Sequence, residues 1–125
     1  MLYEVGGAYD TAGEEATAAG YYERAMGAGL SGDALRRCLL QYGSTLRNLG
    51  RLDESLAMLE RARAEFPTSD SLKVWHATSL HEAGRHDAAF AIMLELVADR
   101  VRTDELVRYE AALRGNAAYL AERDR

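Results

Sequence analysis

The residues of this chain able to do chemistry are three histidines, one cysteine, 20 acidic side chains and one glycine-rich hexapeptide. His81-Glu82-x-x-x-His86 has the makings of a zinc site, with two imidazole ligands and a carboxylate base. Its spacing, however, is one residue longer than the interval that puts two ligands on one helical face. At 3.6 residues per turn, side chains five apart point roughly 140° away from each other. Gly84 lies between them and is expected to end the helix there, and His76 and His81 share the same spacing. No histidine pairs with Cys38 at a ligand interval, so no metal site is expected. Gly27-Ala28-Gly29-Leu30-Ser31-Gly32 fits G-x-G-x-x-G, but a dinucleotide fingerprint needs a strand before it and a βαβ unit around it. A helical stretch precedes this one, so it reads as a loop, with Arg36 or Arg37 able to support only a weak anion contact. Every serine falls in a cap, a turn or a helix surface, so no Ser-His-Asp set assembles, and the carboxylates read as solvated faces. Neither an enzymatic activity nor a cofactor is expected.

The elements that would position these side chains follow from composition. At 125 residues and 13.8 kDa the chain is expected to be one domain, residues 1–125, long enough to bury a real core. A net charge of −5 and a pI near 5.2 weigh against nucleic acid, whose phosphates are met by excess Lys and Arg. Cys38 cannot form an internal disulfide, and beside Leu39 and Leu40 it reads as a small buried residue. No basic leader and no apolar run of about 18 residues is present, so no membrane is expected and the cytoplasm is the expected location. Pro67 is the single proline, Ala and Leu dominate between the glycines, and period-2 alternation is absent. The chain reads as all-α.

Seven helices are expected. Leu2 to Ala12 carries Leu2, Val5 and Tyr9 on one stripe. A second helix, favoured at its start by Glu14 and Glu15, buries Ala18, Tyr22 and Ala25 and runs to Met26. Ser31 or Asp33 caps a third, which turns Leu35, Leu39, Tyr42, Gly43 and Leu46 inward and stops at Gly50. Asp53 caps a fourth, with Leu56, Leu59 and Ala62 inward, closed by Phe66-Pro67. Thr68-Ser69-Asp70 caps a fifth that carries Leu72, Trp75, Ala77 and Leu80 to Gly84-Arg85. A sixth runs from His86 or Asp87 to Ala98, and a seventh from Thr103 or Asp104 to Glu122.

These helices recur. Gly6, Gly43 and Ala77 fall in register at intervals of 37 and 34 residues. Around them a large-x-x-large-small-x-x-large pattern reads Leu2-Val5-Gly6-Tyr9, Leu39-Tyr42-Gly43-Leu46 and Lys73-His76-Ala77-Leu80. The second helices align as Ala18-Tyr22-Ala25, Ser55-Leu59-Ala62 and Ala89-Met93-Leu96. A small residue on the first helix of each pair lets the second approach closely. A hairpin of this size cannot bury its apolar face alone, so the copies must stack. The pattern resembles the tetratricopeptide repeat, whose period is about 34 residues. Lys73 and His76 depart from it, and a rotation of the fifth helix is expected to bring Trp75 inward in compensation. Tyr22-Glu23-Arg24-Ala25, Gly29-Leu30-Ser31-Gly32, Ser44 to Arg51 and Leu80 to His86 further resemble a bacterial family of small, single-domain tetratricopeptide proteins of uncharacterised activity. The resemblance implies a right-handed α-solenoid of three hairpins, residues 1–32, 33–67 and 68–101, with a capping helix over 102–125. It also implies work through protein contacts, and as dimers.

In that family ligands contact the concave face lined by the first helices. Carried onto this chain, those positions are Tyr3, Gly7 and Asp10; Arg37, Leu40, Ser44, Arg47 and Asn48; Ser71, Val74, Thr78, His81 and Glu82; and Arg108, Ala112 and Asn116. The carboxylate clamp of chaperone-binding relatives is lacking, with Tyr3, Leu40 and Val74 where its Lys would stand and Gly7, Ser44 and Thr78 where its Asn would. RNA-binding helical repeats need a basic inner surface, which this acidic chain lacks. The expected function is binding of a protein or peptide partner, with Arg37, Arg47 and Arg108 meeting its acidic groups and Leu40 and Val74 its apolar ones. The competing expectation is a homodimer formed through the apolar N-terminal end at Leu2, Val5 and Tyr9.

Overall fold

A computed structural model of the chain describes residues 2–11 and 13–124, with the side chains of residues 9–11 outside that description. Ala12 and the side chains of Tyr9 and Asp10, assigned above to the first helix, its apolar stripe and the inner face, therefore lie outside the described residues. Eight helices form among the described residues, all joined by short turns. They are α1 (Leu2–Thr11), α2 (Glu15–Gly27), α3 (Gly32–Asn48), α4 (Leu52–Glu65), α5 (Asp70–Glu82), α6 (His86–Arg100), α7 (Asp104–Arg108) and α8 (Glu110–Arg123). No strand occurs among them, and none of these helices is long and apolar enough to cross a membrane.

The seven expected helices become eight because the last one breaks at Tyr109, where φ is −106° and ψ 16°. No glycine or proline marks that break. Thr103 caps α7 by accepting from the Leu106 N–H at 3.2 Å, and α7 ends after five residues, none of them buried. Asp53 is not the cap of α4. Arg51 holds the N-cap position and Asp53 sits in the first turn, facing the positive end of the helix. Ser69 does cap α5, accepting from Leu72 N–H.

Gly50 and Gly84 make the tight turns within the second and third helix pairs, each at φ +79°, and Gly13 stands at the corresponding place between α1 and α2 at φ +82°. The N–H of Arg51 reaches back to Leu46 O at 2.9 Å and that of Arg85 to Leu80 O at 2.9 Å. This left-handed closure satisfies the last carbonyls of α3 and α5, and only glycine adopts it without strain.

Helices pack as neighbours along the chain, α1 with α2, α3 with α4 and α5 with α6, while α3 also lies on α1–α2 and α5 on α3–α4. The close approaches fall where the small residues recur. A Cβ on Gly6 would stand 2.8 Å from Tyr22 Cε1, and one on Gly43 would stand 2.7 Å from Leu59 Cγ. Ala77 is buried with Leu56, Leu80 and Ala89. Two serines expected at a cap, a turn or a helix surface are instead fully buried and tie the same region together: Ser55 donates to Gly43 O at 2.6 Å, and its Oγ lies 2.9 Å from that of Ser79. Each buried hydroxyl thereby keeps a partner, which offsets the cost of taking it out of water.

The rotation expected of α5 does not occur. Trp75 is 36% exposed and His76 only 7%. Leu72, Ala77 and Leu80 all face the core, and 3.6 residues per turn then leave Trp75 no place inside. α5 thus takes the rotation that buries Ala77 and Leu80 with Leu56 and Ala89, and Arg63 makes the buried imidazole tolerable by donating from Nη1 to His76 Nδ1 at 2.9 Å.

The C-terminal helix α8 runs antiparallel along α6. Arg114 pairs with Asp99 at 2.8 Å, Arg123 with Asp87 at 3.4 Å, and Arg85 in the α5–α6 turn with Asp124 at 2.7 Å. Ala117 is buried beneath it, as are Ala91 and Ala98 of α6. α8 therefore covers the Ala91–Ala98 side of α6 and meets the lining of the cleft between α5 and α6 at Asp87.

Candidate functional site

On α3, Arg37, Leu40, Ser44 and Arg47 recur at three and four residues and so share one stripe. Arg37 is exposed, lies 3.8 Å from Asp33 and sits over the Tyr3 ring at 5.9 Å. Leu40 is half-buried and packs against the cluster of Leu35, Leu39, Leu59, Ala62 and Leu72. Arg47 is half-buried and donates from Nη2 to Ser44 Oγ at 3.1 Å. Its Nε is buried with no hydrogen-bond partner among the described residues, and no carboxylate pairs with it there. Asn48 is exposed and donates to Glu15 Oε1 at 3.2 Å, so it is engaged within the chain.

On α5, Val74, Thr78 and His81 line one cleft of about 640 Å³ together with Ala77, Ala89 and Met93. Thr78 is exposed and turns its hydroxyl back to Val74 O at 2.9 Å. Arg108 is not brought to these residues. It is exposed on α7, which packs against α8. Ser71 accepts from Arg36 Nη1 at 3.0 Å, which ties the start of α5 to α3. Sequence reasoning missed His86 and Phe90, which also line the cleft. The signal for Phe90 was present in the repeat register, where it is the counterpart of Leu56.

His81 and His86 do not point apart. Their Nδ1 atoms lie 2.9 Å from each other, and the ring centroids are 4.6 Å apart. The estimate from helical periodicity fails because the Gly84 turn ends α5 between them and returns the chain, so no single helix sets their relative direction. One imidazole donates to the other at this distance. No group of three His, Cys, Asp or Glu placed to hold a metal occurs among the described residues. A second cleft, of about 350 Å³, is lined by Glu60, His76, Arg85 and Asp124 among others. There Arg85 is already bound by Asp124, and His76 by Arg63.

Cys38 is fully buried and its Sγ faces Tyr22 O at 3.8 Å. Burial pushes its thiol up to about 11. The thiolate is the reactive form, so native protein is expected to react with an alkylating reagent roughly a hundredfold more slowly than unfolded chain at the same pH. Mass spectrometry of timed samples checks this, and equal rates in the two states would show that Cys38 is accessible. Tyr42 is likewise held protonated. Burial, and then the Glu23 carboxylate that accepts from its hydroxyl at 2.7 Å, push the phenol up to about 12.

Paired helices with small residues at their crossings, each pair stacked on the next, make this an all-α helical-repeat protein. The family model described as tetratrico peptide repeat matches residues 1–120, and the chain belongs to that family. No curated protein matches it. The family works in general through protein–protein interaction, on a scaffold that is generally non-catalytic.

Proposed function

We propose that the chain is a non-enzymatic interaction module that holds a protein or peptide segment along the face formed by its first helices, α1, α3 and α5. In this reading residues 1–32, 33–67 and 68–101 are three repeats of a right-handed solenoid, and 102–125 close the domain. The observation that carries it is Arg47. Its guanidinium is half-buried beside Leu40 and Ser44, with its Nε–H buried and unmatched among the described residues. The outer nitrogens of the half-buried Arg47, which no carboxylate of the described residues holds, would meet a partner's carboxylate in a charge-assisted pair. Arg37 at one end of the stripe adds a second cation, and Leu40 and Val74 offer apolar contact. An acidic segment with interspersed apolar residues fits this chemistry.

Affinity capture with the full chain, read by mass spectrometry, tests the proposal. Arg47→Glu is expected to lower recovery of the specific partner at least tenfold while circular dichroism and melting remain as in the wild type, and Arg47→Lys is expected to retain part of the binding. Undiminished capture by a folded Arg47→Glu protein would remove this face from the account.

A second reading, self-association, is favoured by one observation. Val5 is 38% exposed although its register counterparts Tyr42 and His76 are buried. An apolar side chain left uncovered at a stacking position invites another copy.

A further inference from the structure

The cleft between α5 and α6 holds the place where a next first helix would stack. By the 34-residue register, Phe90 of α6 is the counterpart of Leu56 of α4, and by the 37-residue register Leu56 is the counterpart of Ala19 of α2. Ala19 is buried in the cluster that α3 completes with Cys38, Tyr42 and Leu46. Leu56 is 8% exposed, covered by Ala77 and Leu80 of α5. Phe90 is 57% exposed. α8 does not take the role that α3 and α5 play, because it lies on the Ala91–Ala98 side of α6. The largest apolar side chain of α6 is thus left bare at a position that stacking buries in both earlier hairpins.

The geometry points to one occupant, the α1 end of a second copy of this chain, docked head to tail so that the stack continues from one molecule into the next. This deepens the self-association reading above and rests on it. The support is the register of contacts already made twice within the molecule. Tyr42 of α3 donates to Glu23 of α2, and His76 of α5 stands 3.9 Å from Glu60 of α4. One step on, the same positions pair Val5 of the incoming α1 with Leu94 of α6, apolar against apolar. Ser79 meets Ser55 between the second and third hairpins. The corresponding pair across the new junction is Ala8 with Ala89, which again leaves no polar group unmatched. Each end of the molecule therefore carries the apolar half of a contact whose other half lies at the opposite end. Such a contact is heterologous, joining two different surfaces, and not a symmetric meeting of two N-terminal ends. Val74, Thr78 and His81 would then stand as their counterparts Leu40, Ser44 and Arg47 stand now beneath α5, half-exposed, so stacking lengthens the inner face and does not close it.

Sedimentation velocity on the full chain over a range of concentrations provides the test. The wild type is expected to associate with rising concentration. Val5→Glu and Phe90→Glu, both at exposed positions and checked for unchanged helicity and melting, are each expected to weaken association at least tenfold. An equimolar mixture of the two variants retains one intact junction, the unaltered α6 face of the first variant, with Phe90 and Leu94, against the unaltered α1 face of the second, and is expected to form a one-to-one dimer that grows no further. A wild type that stays monomeric throughout overturns both the self-association reading and this junction. A wild type that associates normally after Phe90→Glu, or a mixture of the variants that stays monomeric while the wild type associates, overturns the junction and leaves self-association by another surface standing.

Discussion

Gly43→Val is expected to lower the unfolding free energy by about 3 kcal/mol, the upper end of what overpacking a core costs. The reason is local and geometric. The Cβ of any larger residue would stand 2.7 Å from Leu59 Cγ and 2.8 Å from Leu59 Cδ2. Leu59 is fully buried, and its Cγ is a branch point and not a flexible tip, so it cannot swing aside. Relief requires α3 and α4 to part. Parting them stretches the 2.6 Å bond from Ser55 to Gly43 O and disturbs the Ser55–Ser79 contact, so the damage reaches α5. For a domain with a stability of about 5–15 kcal/mol this loss is large, and the melting temperature should fall by on the order of 10 °C. Gly20→Ala and Gly115→Ala are the internal controls. Both lie within helices, and a Cβ at either position meets nothing within 4 Å. Removing the backbone freedom of glycine there should leave stability unchanged or raise it by up to about 1 kcal/mol. Urea or thermal unfolding of the three variants decides the matter. A Gly43→Val protein as stable as the wild type would show that the crossing is not tight.

The second large effect is expected with acid. Arg63 stays protonated and must donate, so His76 Nδ1 accepts and the ring is neutral with its proton on Nε2. Glu60 Oε1, at 3.9 Å from Nε2, is too far to receive that proton in a hydrogen bond. Burial, together with the positive charges of Arg63 and Arg85, holds the imidazole down at about 4 against an ordinary 6.5. In the unfolded chain His76 takes a proton at the ordinary value, so the folded state refuses a proton that the unfolded state accepts. Stability carried by the neutral ring is therefore complete above pH 6.5 and is lost as pH falls from there toward 4, by roughly 3 kcal/mol over that interval. The carboxylates of Glu54, Asp99 and Glu110 are held below their ordinary values by bonded arginines, so what they contribute is lost at lower pH, below about 4.5. Unfolding free energies at half-unit steps between pH 7 and 4.5 should fall for the wild type. They should stay nearly flat for His76→Leu, whatever that substitution does at pH 7. Parallel slopes for the two proteins would mean that His76 titrates as an open imidazole.

Much of the fold is written in local pattern. The apolar period and the glycines fix where helices start and stop, because helix formation and left-handed turns are decided within a few residues. The small residues at Gly6, Gly43 and Ala77 are legible for a related reason: helices can cross closely only where a side chain is missing, so the crossing leaves its mark at a fixed interval. Arg37, Leu40, Ser44 and Arg47 were readable as one stripe because one helix carries them all.

Other features were decided by tertiary structure. Whether Trp75 or His76 faces inward depended on which rotation buried Ala77 and Leu80 with Leu56 and Ala89, and Arg63, thirteen residues away, made the burial of an imidazole acceptable. His81 and His86 meet because a turn, and not a helix, sets their relation. The break at Tyr109 carries no glycine or proline, and α8 lies on α6 where Ala91, Ala98 and Ala117 are buried, with ion pairs to Asp87 and Asp99 around them, so neither could be read locally. That placement moved Arg108 away from the residues it was expected to join and left Phe90 bare. Helical periodicity tells which residues share a face of one rod. Which rod lies against that face is settled by contacts between residues distant in the chain, where packing and charge outweigh local preference.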